Sequence, residues 1–511
     1  MNDQLKKLKP YFPFMLALLG GAIMTYGFAP YDVATASIAS IVIFLWCLAK
    51  QSKKSAFLVG LCYGLGMFGN GVNWVYVSIH DFGGAAPPLA MIITGLFILA
   101  LSVFPALMAS LLIYCFPKNN NLRILLAFPV LWVTFEILRG WLFTGFPWLY
   151  MGYSQMGNQL ISFAPLGGVW LVSWAGVFTA GVLCAFVNYF YQVKEDKKYL
   201  AGLFVLLLAV WGAAFGLRQM TWTHPTSKKL NVTLVQGNIA QLLRWDPEYI
   251  AHIIDIYQTL TATALTKVEK NDLIVWPEGA IPVPLPLSQS LFNDMANSLQ
   301  SRDMALIAGV PTQVSNRNSY FNTLLVAGNG SGVYYKKYLV PFGEYVPFEN
   351  QLRGLIAFFN LPMSSFIEGP NNQGPLIVKD FRFAPAICYE IAYPLFVQKM
   401  SKNADAILTV SNDTWFGKSI GPFQHLQMAQ FRAIETGKYV VRATNTGLTA
   451  IIDNKGKIVN IAPQFEPAYI NAEVVAYKGN TPWVHYGIWP LIMALTVVMA
   501  AAVIWQSMQK K

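Results

Sequence analysis

Seven long apolar stretches fill the first 217 residues, with short loops between them, and an eighth lies near the other end of the chain. They run approximately over Tyr11–Phe28, Val33–Ala49, Ala56–Trp74, Leu89–Phe116, Leu122–Leu138, Gly167–Phe190, Tyr199–Leu217 and Trp483–Trp505. A helix needs roughly 20 apolar residues to cross the hydrocarbon core of a bilayer. Most of these stretches are near that length, and their isolated prolines and glycines are tolerated in spans. Composition agrees: 55% of the 511 residues are hydrophobic and 12% are charged, about half the charge density of a soluble domain. Lys6, Lys7 and Lys9 precede the first stretch as they would a signal peptide. Six further spans follow, so it is read as an uncleaved helix.

Basic residues set the orientation. Sorted alternately, the span flanks give one side Lys6, Lys7, Lys9, Lys50, Lys53, Lys54, Lys118, Arg123, Lys194, Lys197, Lys198, Lys510 and Lys511, and leave the opposite short loops only Arg139. The positive-inside rule then places both termini in the cytoplasm. Seven spans precede the long polar segment, an odd number, so that segment lies outside the cytoplasm. The domains expected are 1–217 (seven spans), 218–480 (exported) and 481–511 (the eighth span and a tail). The net charge of +11 follows from the same loops. With no arginine-rich run or zinc-finger spacing, it does not point to nucleic acid.

The exported segment changes periodicity. Val232–Gln236, Leu273–Trp276, Ala305–Ala308, Thr323–Ala327, Phe383–Ile387, Ala406–Val410 and Tyr439–Arg442 read as strands, and Pro247–Lys270, Ser288–Ser301 and Pro422–Thr436 as helices. That alternation marks an α/β domain. Thr449–Asp453, Lys457–Ile461 and Ile470–Ala476 add antiparallel pairing. Cys47, Cys62, Cys115 and Cys184 fall in spans, where cysteine is a small apolar residue. Cys388 alone is exported, a thiol without an intradomain disulfide partner in a compartment that favours disulfides.

Three clusters carry chemistry. Ile274–Gly279 ends an apolar strand in the carboxylate of Glu278, held by a Pro–Gly turn. Pro385–Glu390 ends another in Cys388, with a helix expected next, whose N-terminus would lower the thiol pKa and offer N–H groups to an oxyanion. Between them, Tyr334–Glu344 holds Lys336 and Lys337 in an aromatic, strand-like setting. A thiol needs a base and a tetrahedral intermediate needs a positive donor, so carboxylate, lysine and thiol form a coherent nucleophilic set. A cysteine protease would use histidine, and His224, His252 and His425 stand in no Cys/His signature. Singly, the same residues are equally a capped turn, a solvated strand lysine and a core cysteine. Either lysine fits by composition.

The order Glu278, Lys336, Cys388 resembles the nitrilase, or carbon–nitrogen hydrolase, superfamily. The strings Leu339–Pro347, Val410–Gly417, Gln424–Ala429, Arg442–Gly447 and Gly140–Trp148, inside an eight-span frame, are similar to bacterial apolipoprotein N-acyltransferases. The resemblance implies a polytopic membrane domain plus an extracytoplasmic αββα sandwich. It implies Lys336, three residues before Leu339, as the catalytic lysine, and Trp245, Glu344, Tyr389 and Glu390 as supporting residues. The family commonly has histidine where Tyr338 stands. The implied reaction moves an acyl chain from a membrane phospholipid, typically phosphatidylethanolamine, through a Cys388 thioester to the amine of a diacylglyceryl-cysteine on an apolipoprotein. No metal, nucleotide or organic cofactor is required. The implied location is the bacterial inner membrane, with the catalytic domain in the periplasm.

Two apolar segments suit a lipid substrate. Phe348–Phe366 reads as a lid or as a loop packed on the domain, and Trp141–Trp148 as a re-entrant or interfacial loop. Glu136 and Arg139 are spaced to pair on one helix face as structural anchors. The leading rival is a membrane-tethered amidase with the same triad. A transporter is the weaker rival, because the spans hold few ionisable residues beyond Glu136.

Overall fold

The computed structural model describes residues 10–118, 121–191, 196–314, 319–345 and 366–508. The chain divides into two compact units. The first comprises Met1–Asn73, Met91–Thr221 and Tyr486–Lys511, and the second Trp74–Ala90 and Trp222–His485.

The first unit is helical: Phe12–Met24, Ala34–Leu48, Lys53–Gly71, Pro87–Cys115, Phe128–Arg139, Ala164–Tyr191, Lys197–Arg218 and Trp489–Met508. Among the described residues, four helical stretches are long and apolar enough to cross a bilayer: Pro87–Cys115, Gln159–Phe190, Lys197–Arg218 and Trp489–Met508. Lys53–Gly71 and Trp74–Phe82, bent by 54°, pass the same test as a pair. The last helix begins at Trp489, because Trp483 lies fully buried in a short helix of the second unit. Met91, Ile92, Leu96, Phe204, Val205, Leu208, Met493 and Val497 are exposed apolar side chains on these helices, as lipid-facing positions require. Close packing comes from small residues. A Cβ on Gly21 would lie 2.0 Å from the Tyr63 carbonyl and one on Gly66 2.0 Å from that of Leu18, so Phe12–Met24 and Lys53–Gly71 meet backbone to backbone.

Glu136 and Arg139 both act on the chain that follows their helix. Glu136 accepts hydrogen bonds from Trp132 Nε1 (3.0 Å) and the Met151 N–H (2.7 Å). Arg139 donates to the carbonyls of Phe146 (2.9 Å) and Trp148 and lies over the Tyr150 ring. The loop they hold exposes Trp141 and Phe143 and buries Trp148.

In the second unit the strands are β1 (His224–Gln236), β2 (Leu273–Val275), β3 (Ala305–Gln313), β4 (Tyr320–Gly328), β5 (Gly330–Ser331), β6 (Val333–Tyr335), β7 (Leu376–Val378), β8 (Phe381–Ile387), β9 (Ala406–Ser411), β10 (Val440–Thr444), β11 (Ala450–Ile452), β12 (Ile458–Ile461) and β13 (Ala468–Lys478). One sheet has the order β13-β1-β2-β3-β4-β6, the other β12-β11-β10-β9-β8-β7-β5. Alternation along the strands builds the layers. Leu273 and Val275 of β2 join Phe381, Phe383, Ile407 and Val441 in the core between the sheets. Ile274 and Trp276 turn outward to Ile253, Tyr257 and Phe292 on the helices Ile250–Lys267 and Leu285–Gln300. Helices Pro394–Ser401 and Gly421–Thr436 pack on β8 and β10 of the second sheet. The result is helix, sheet, sheet, helix. The sequence pattern does not reveal β5 or β7, both short, while β6 covers only the start of the strand-like segment expected around Lys336 and the helix expected after Cys388 begins only at Pro394.

Trp74–Ala90 belongs to this unit through specific contacts. Trp74 Nε1 donates to Gln424 (3.3 Å), Ser78 Oγ donates to the Trp415 carbonyl (2.7 Å), and the Trp74 and Phe416 rings meet edge to face.

Candidate active site

Strand direction gathers the chemistry at one end. β1, β2 and β3 are parallel. β4 reverses against β3 and β6 reverses again, so β6 runs with β3. β8, β9 and β10 are likewise parallel. Glu278 follows the carboxyl end of β2, Lys336 that of β6, Cys388 that of β8 and Asn412 that of β9.

Glu278 sits on an arch that leaves the sheet after Trp276 and rejoins it where the Ile281 N–H donates to the Gly309 carbonyl (3.2 Å). A Cβ on Gly309 would lie 2.3 Å from the Gly279 nitrogen, so the arch requires glycine beneath it. Asn322 Nδ2 donates to Glu278 Oε1 (2.7 Å) and to Glu344 Oε1 (3.0 Å), joining the two carboxylates. The Asn412 N–H donates to Glu278 Oε2 (2.8 Å). Arg244 donates to the main-chain carbonyls of Glu278 and Gly279. Burial raises the Glu278 pKa, but Lys336, Arg244 and these hydrogen bonds outweigh it and hold the carboxyl below its ordinary value.

Lys336 is fully buried. Its Nζ lies 2.8 Å from Glu344 Oε2 and 3.4 Å from Glu278 Oε1. Burial disfavours the ammonium, but Glu278, Glu344 and Cys388 more than offset this, and its pKa is raised. Lys336 stands one residue beyond β6, not within a strand. Lys337 turns to Glu368 (2.7 Å) and remains partly exposed, so burial separates the two lysines.

Cys388 departs from expectation. It opens a 3₁₀ turn, Cys388–Ala392, and the helix starts only at Pro394. The thiol therefore lacks a helix N-terminus. Burial and the charge of Glu278 push its pKa up to about 12, against a smaller opposing effect of Lys336. Its backbone is left-handed, φ 54°.

Glu390 ties the turn at Cys388, an elbow in the chain, to β6 and the residues that follow it. It accepts hydrogen bonds from the Ile387 N–H (2.7 Å), the N–H groups of Lys337 (2.6 Å) and Tyr338 (3.0 Å), and the Tyr334 hydroxyl (2.8 Å). Burial nonetheless pushes its pKa up to about 7. Tyr389 packs edge-on against Tyr393. Tyr338 stacks on Tyr393, their ring centroids 4.5 Å apart. Trp245 packs with Leu339, Phe366, Tyr320, Tyr345 and Trp415, and the Arg244 guanidinium lies over its ring. The lid segment Phe348–Phe366 lies outside the described residues except for Phe366.

Comparison with known proteins places this geometry. Residues 20–182 match the apolipoprotein N-acyltransferase N-terminal domain, and residues 231–479 match the carbon–nitrogen hydrolase family. The apolipoprotein N-acyltransferase of Pseudomonas syringae pv. tomato is 44% identical over 96% of this chain and 96% of its own. Those of Pseudomonas aeruginosa and Vibrio parahaemolyticus are 42% and 40% identical, each over at least 95% of both chains. The chain belongs to the apolipoprotein N-acyltransferase family. Among solved structures, Nit3 of Saccharomyces cerevisiae aligns with a TM-score of 0.38 at 19% identity, over 50% of this chain and 93% of that one.

In this member of the family, Lys336 pairs with both Glu278 and Glu344, and the charges of Glu278 and Lys336 both act on the Cys388 thiol. Sequence reasoning gave no role to Arg244, Asn322, Asn412, Asp413, His425 or Arg442. Asn322 had one weak signal, an amide inside an apolar strand. Asn412 acts through its main-chain N–H on the Glu278 carboxylate, and the others act across the fold on main-chain groups or on each other, which no local pattern reveals.

Proposed function

We propose that this protein transfers an acyl chain from a membrane phospholipid, through a thioester on Cys388, to the N-terminal amine of a diacylglyceryl-cysteine on an apolipoprotein. The observation that supports the reading is the buried Lys336–Glu278 pair at the ends of β6 and β2, whose charges both act on Cys388 at the end of β8, in a chain of this family. Glu278, ionised at neutral pH, takes the thiol proton as Sγ attacks the ester carbonyl. Lys336 and main-chain N–H groups near Tyr389 hold the oxyanion. The carbonyl re-forms, Glu278 returns the proton to the leaving oxygen, and lysophospholipid departs. The acceptor amine then attacks the thioester, gives its proton to Glu278 and restores the thiol. This is ping-pong chemistry and requires no cofactor. Phosphatidylethanolamine is the proposed donor. Glu344 and Glu390 fix Lys336 and the elbow, Tyr389 lines the nucleophile, and Trp245 walls the site.

We assign eight spans, with the catalytic domain (218–480) in the periplasm of an inner-membrane protein and both termini in the cytoplasm. Two arguments support this. The basic residues fall thirteen on one side and one on the other. Trp74–Ala90 and Trp222–His485 share one compact unit, so the chain between them crosses an even number of times, which the four expected spans satisfy. An amidase with the same triad would let water resolve the thioester; membership of an acyltransferase family favours the amine. The test supplies full-length enzyme with phosphatidylethanolamine carrying a labelled acyl chain and a diacylated lipopeptide. Label on the peptide α-amine, absent with Cys388→Ser, supports the reading. Label released as free fatty acid, with none on the peptide, overturns it.

A further inference from the structure

Cys388 adopts the left-handed backbone conformation, φ 54°. For a residue with a Cβ this costs about 1–2 kcal/mol, so its surroundings must impose it. One side of the nucleophile is held by Glu390, which accepts from the Ile387 N–H at 2.7 Å. The other side is held by a group the mechanism does not use. His425 Nε2 lies 3.1 Å from the Cys388 carbonyl oxygen.

His425 is almost fully buried on the helix Gly421–Thr436 and faces two charged groups. Its Nδ1 lies 3.0 Å from Asp413 Oδ1 and 3.1 Å from an Arg442 guanidinium nitrogen. That guanidinium nitrogen also donates to Asp413 Oδ2 (2.6 Å), and Ser411 Oγ donates to Asp413 Oδ1 (2.6 Å). A carbonyl oxygen only accepts, so the Nε2 edge must carry a proton for the contact to be favourable. Burial and the neighbouring Arg442 favour the neutral ring, despite Asp413. In the neutral ring with its proton on Nε2, Nε2–H donates to Cys388 and Nδ1 accepts from Arg442, whose charge offsets the approach of Asp413 Oδ1 to the same nitrogen. Neither nitrogen is left to act as a base for the thiol.

We infer that His425 is a positioning residue for acyl transfer, holding the Cys388 carbonyl so that the thiol is aimed at the bound ester. The inference rests on Cys388 being the nucleophile. Asp413 and Arg442 fix the ring, which brings three separate sequence strings to bear on one peptide group. Misplacing a reacting atom by about 1 Å costs on the order of a hundredfold in rate. Alkylation by a small reagent in solution lacks that geometric demand.

The test compares two polar variants of the full-length enzyme. His425→Gln places a side-chain N–H far enough along to reach the carbonyl; His425→Asn keeps an amide near Asp413 and Arg442 but falls short of Cys388. Three rates or constants are measured: single-turnover thioester formation from labelled phosphatidylethanolamine, the KM for that lipid, and alkylation of Cys388 by iodoacetamide. With His425→Asn, thioester formation should fall roughly 10–100-fold, with KM and alkylation each within about threefold of wild type. His425→Gln should recover most of the loss. Thioester formation at the wild-type rate in His425→Asn overturns the inference. So does an equal fall in acylation and alkylation, or a Gln variant no better than Asn. If the wild-type enzyme itself takes no label, the acyl-transfer reading fails first, and this inference fails with it.

Discussion

Two buried ionic clusters lie in the same domain and do opposite things with charge. In the first, the Lys336 ammonium sits between Glu278 and Glu344, beside a thiol. In the second, Asp413 meets Arg442 at 2.6 Å and His425 at 3.0 Å, all three at most 1% exposed. Lys336 holds a raised pKa and Asp413 a strongly lowered one, each because its partners outweigh the cost of burial. The difference lies in what each cluster borders. The first acts on the Cys388 thiol, which in the proposed mechanism loses and regains a proton carried by Glu278. The second reaches Cys388 chiefly through its main-chain carbonyl, held by His425, and its carboxylate adds only a lesser upward push on the thiol pKa, so its work is mainly geometric. A buried ion pair is thus not a functional sign in itself; the titrating neighbour makes it one.

The contrast breaks most visibly at the nucleophile. Cys388→Ala should abolish acyl transfer, by at least about 10⁴-fold, while the thermal unfolding midpoint in detergent stays close to wild type. Glu278→Gln should lower transfer roughly 10²–10⁴-fold yet speed iodoacetamide alkylation of Cys388 at pH 8, because the Glu278 charge raises the thiol pKa. Slower alkylation in that variant would mean that Glu278 does not act on the thiol electrostatically. In the wild type, alkylation should keep rising from pH 7 to 10; a plateau below pH 9 would contradict a thiol pKa near 12.

The second cluster should respond in stability. Asp413→Asn leaves the Arg442 charge buried without its carboxylate and should cost about 3–5 kcal/mol, read as a lowered unfolding midpoint. Because the folded Asp413 pKa is depressed, its contribution is complete above about pH 4 and is lost as pH falls toward the folded value. The variant and the wild type should therefore converge in stability on acidification. The smallest effect is expected at Ser78→Ala, which removes one hydrogen bond to the Trp415 carbonyl and should cost about 1 kcal/mol.

Much of the catalytic domain was legible because each chemical group ends an apolar strand. Leu273–Trp276, Phe383–Ile387 and Ala406–Val410 all appear as strands of nearly the expected extent. The helix expected after Cys388 was wrong because Pro394 starts the helix six residues later, after a tight turn. The placement of Lys336 was only approximate because β6 has just three residues, too few for an alternation pattern. The supporting donors Arg244, Asn322 and Asn412 come from elements distant in sequence and are defined only by tertiary packing. In the helical unit, hydropathy found the apolar segments but ran the third one through Trp74. That side chain instead makes its hydrogen bond to Gln424 in the catalytic unit.

A covalent acyl group at Cys388 is the intermediate on which acyl transfer by this enzyme would depend. Purified full-length enzyme would be incubated with phosphatidylethanolamine bearing an isotopically labelled acyl chain, then digested and examined by mass spectrometry. A labelled, hydroxylamine-sensitive adduct on the Cys388 peptide, discharged by a diacylglyceryl-cysteine peptide, is the expected result. No adduct at Cys388 while labelled acyl groups still reach the acceptor would contradict the thioester mechanism.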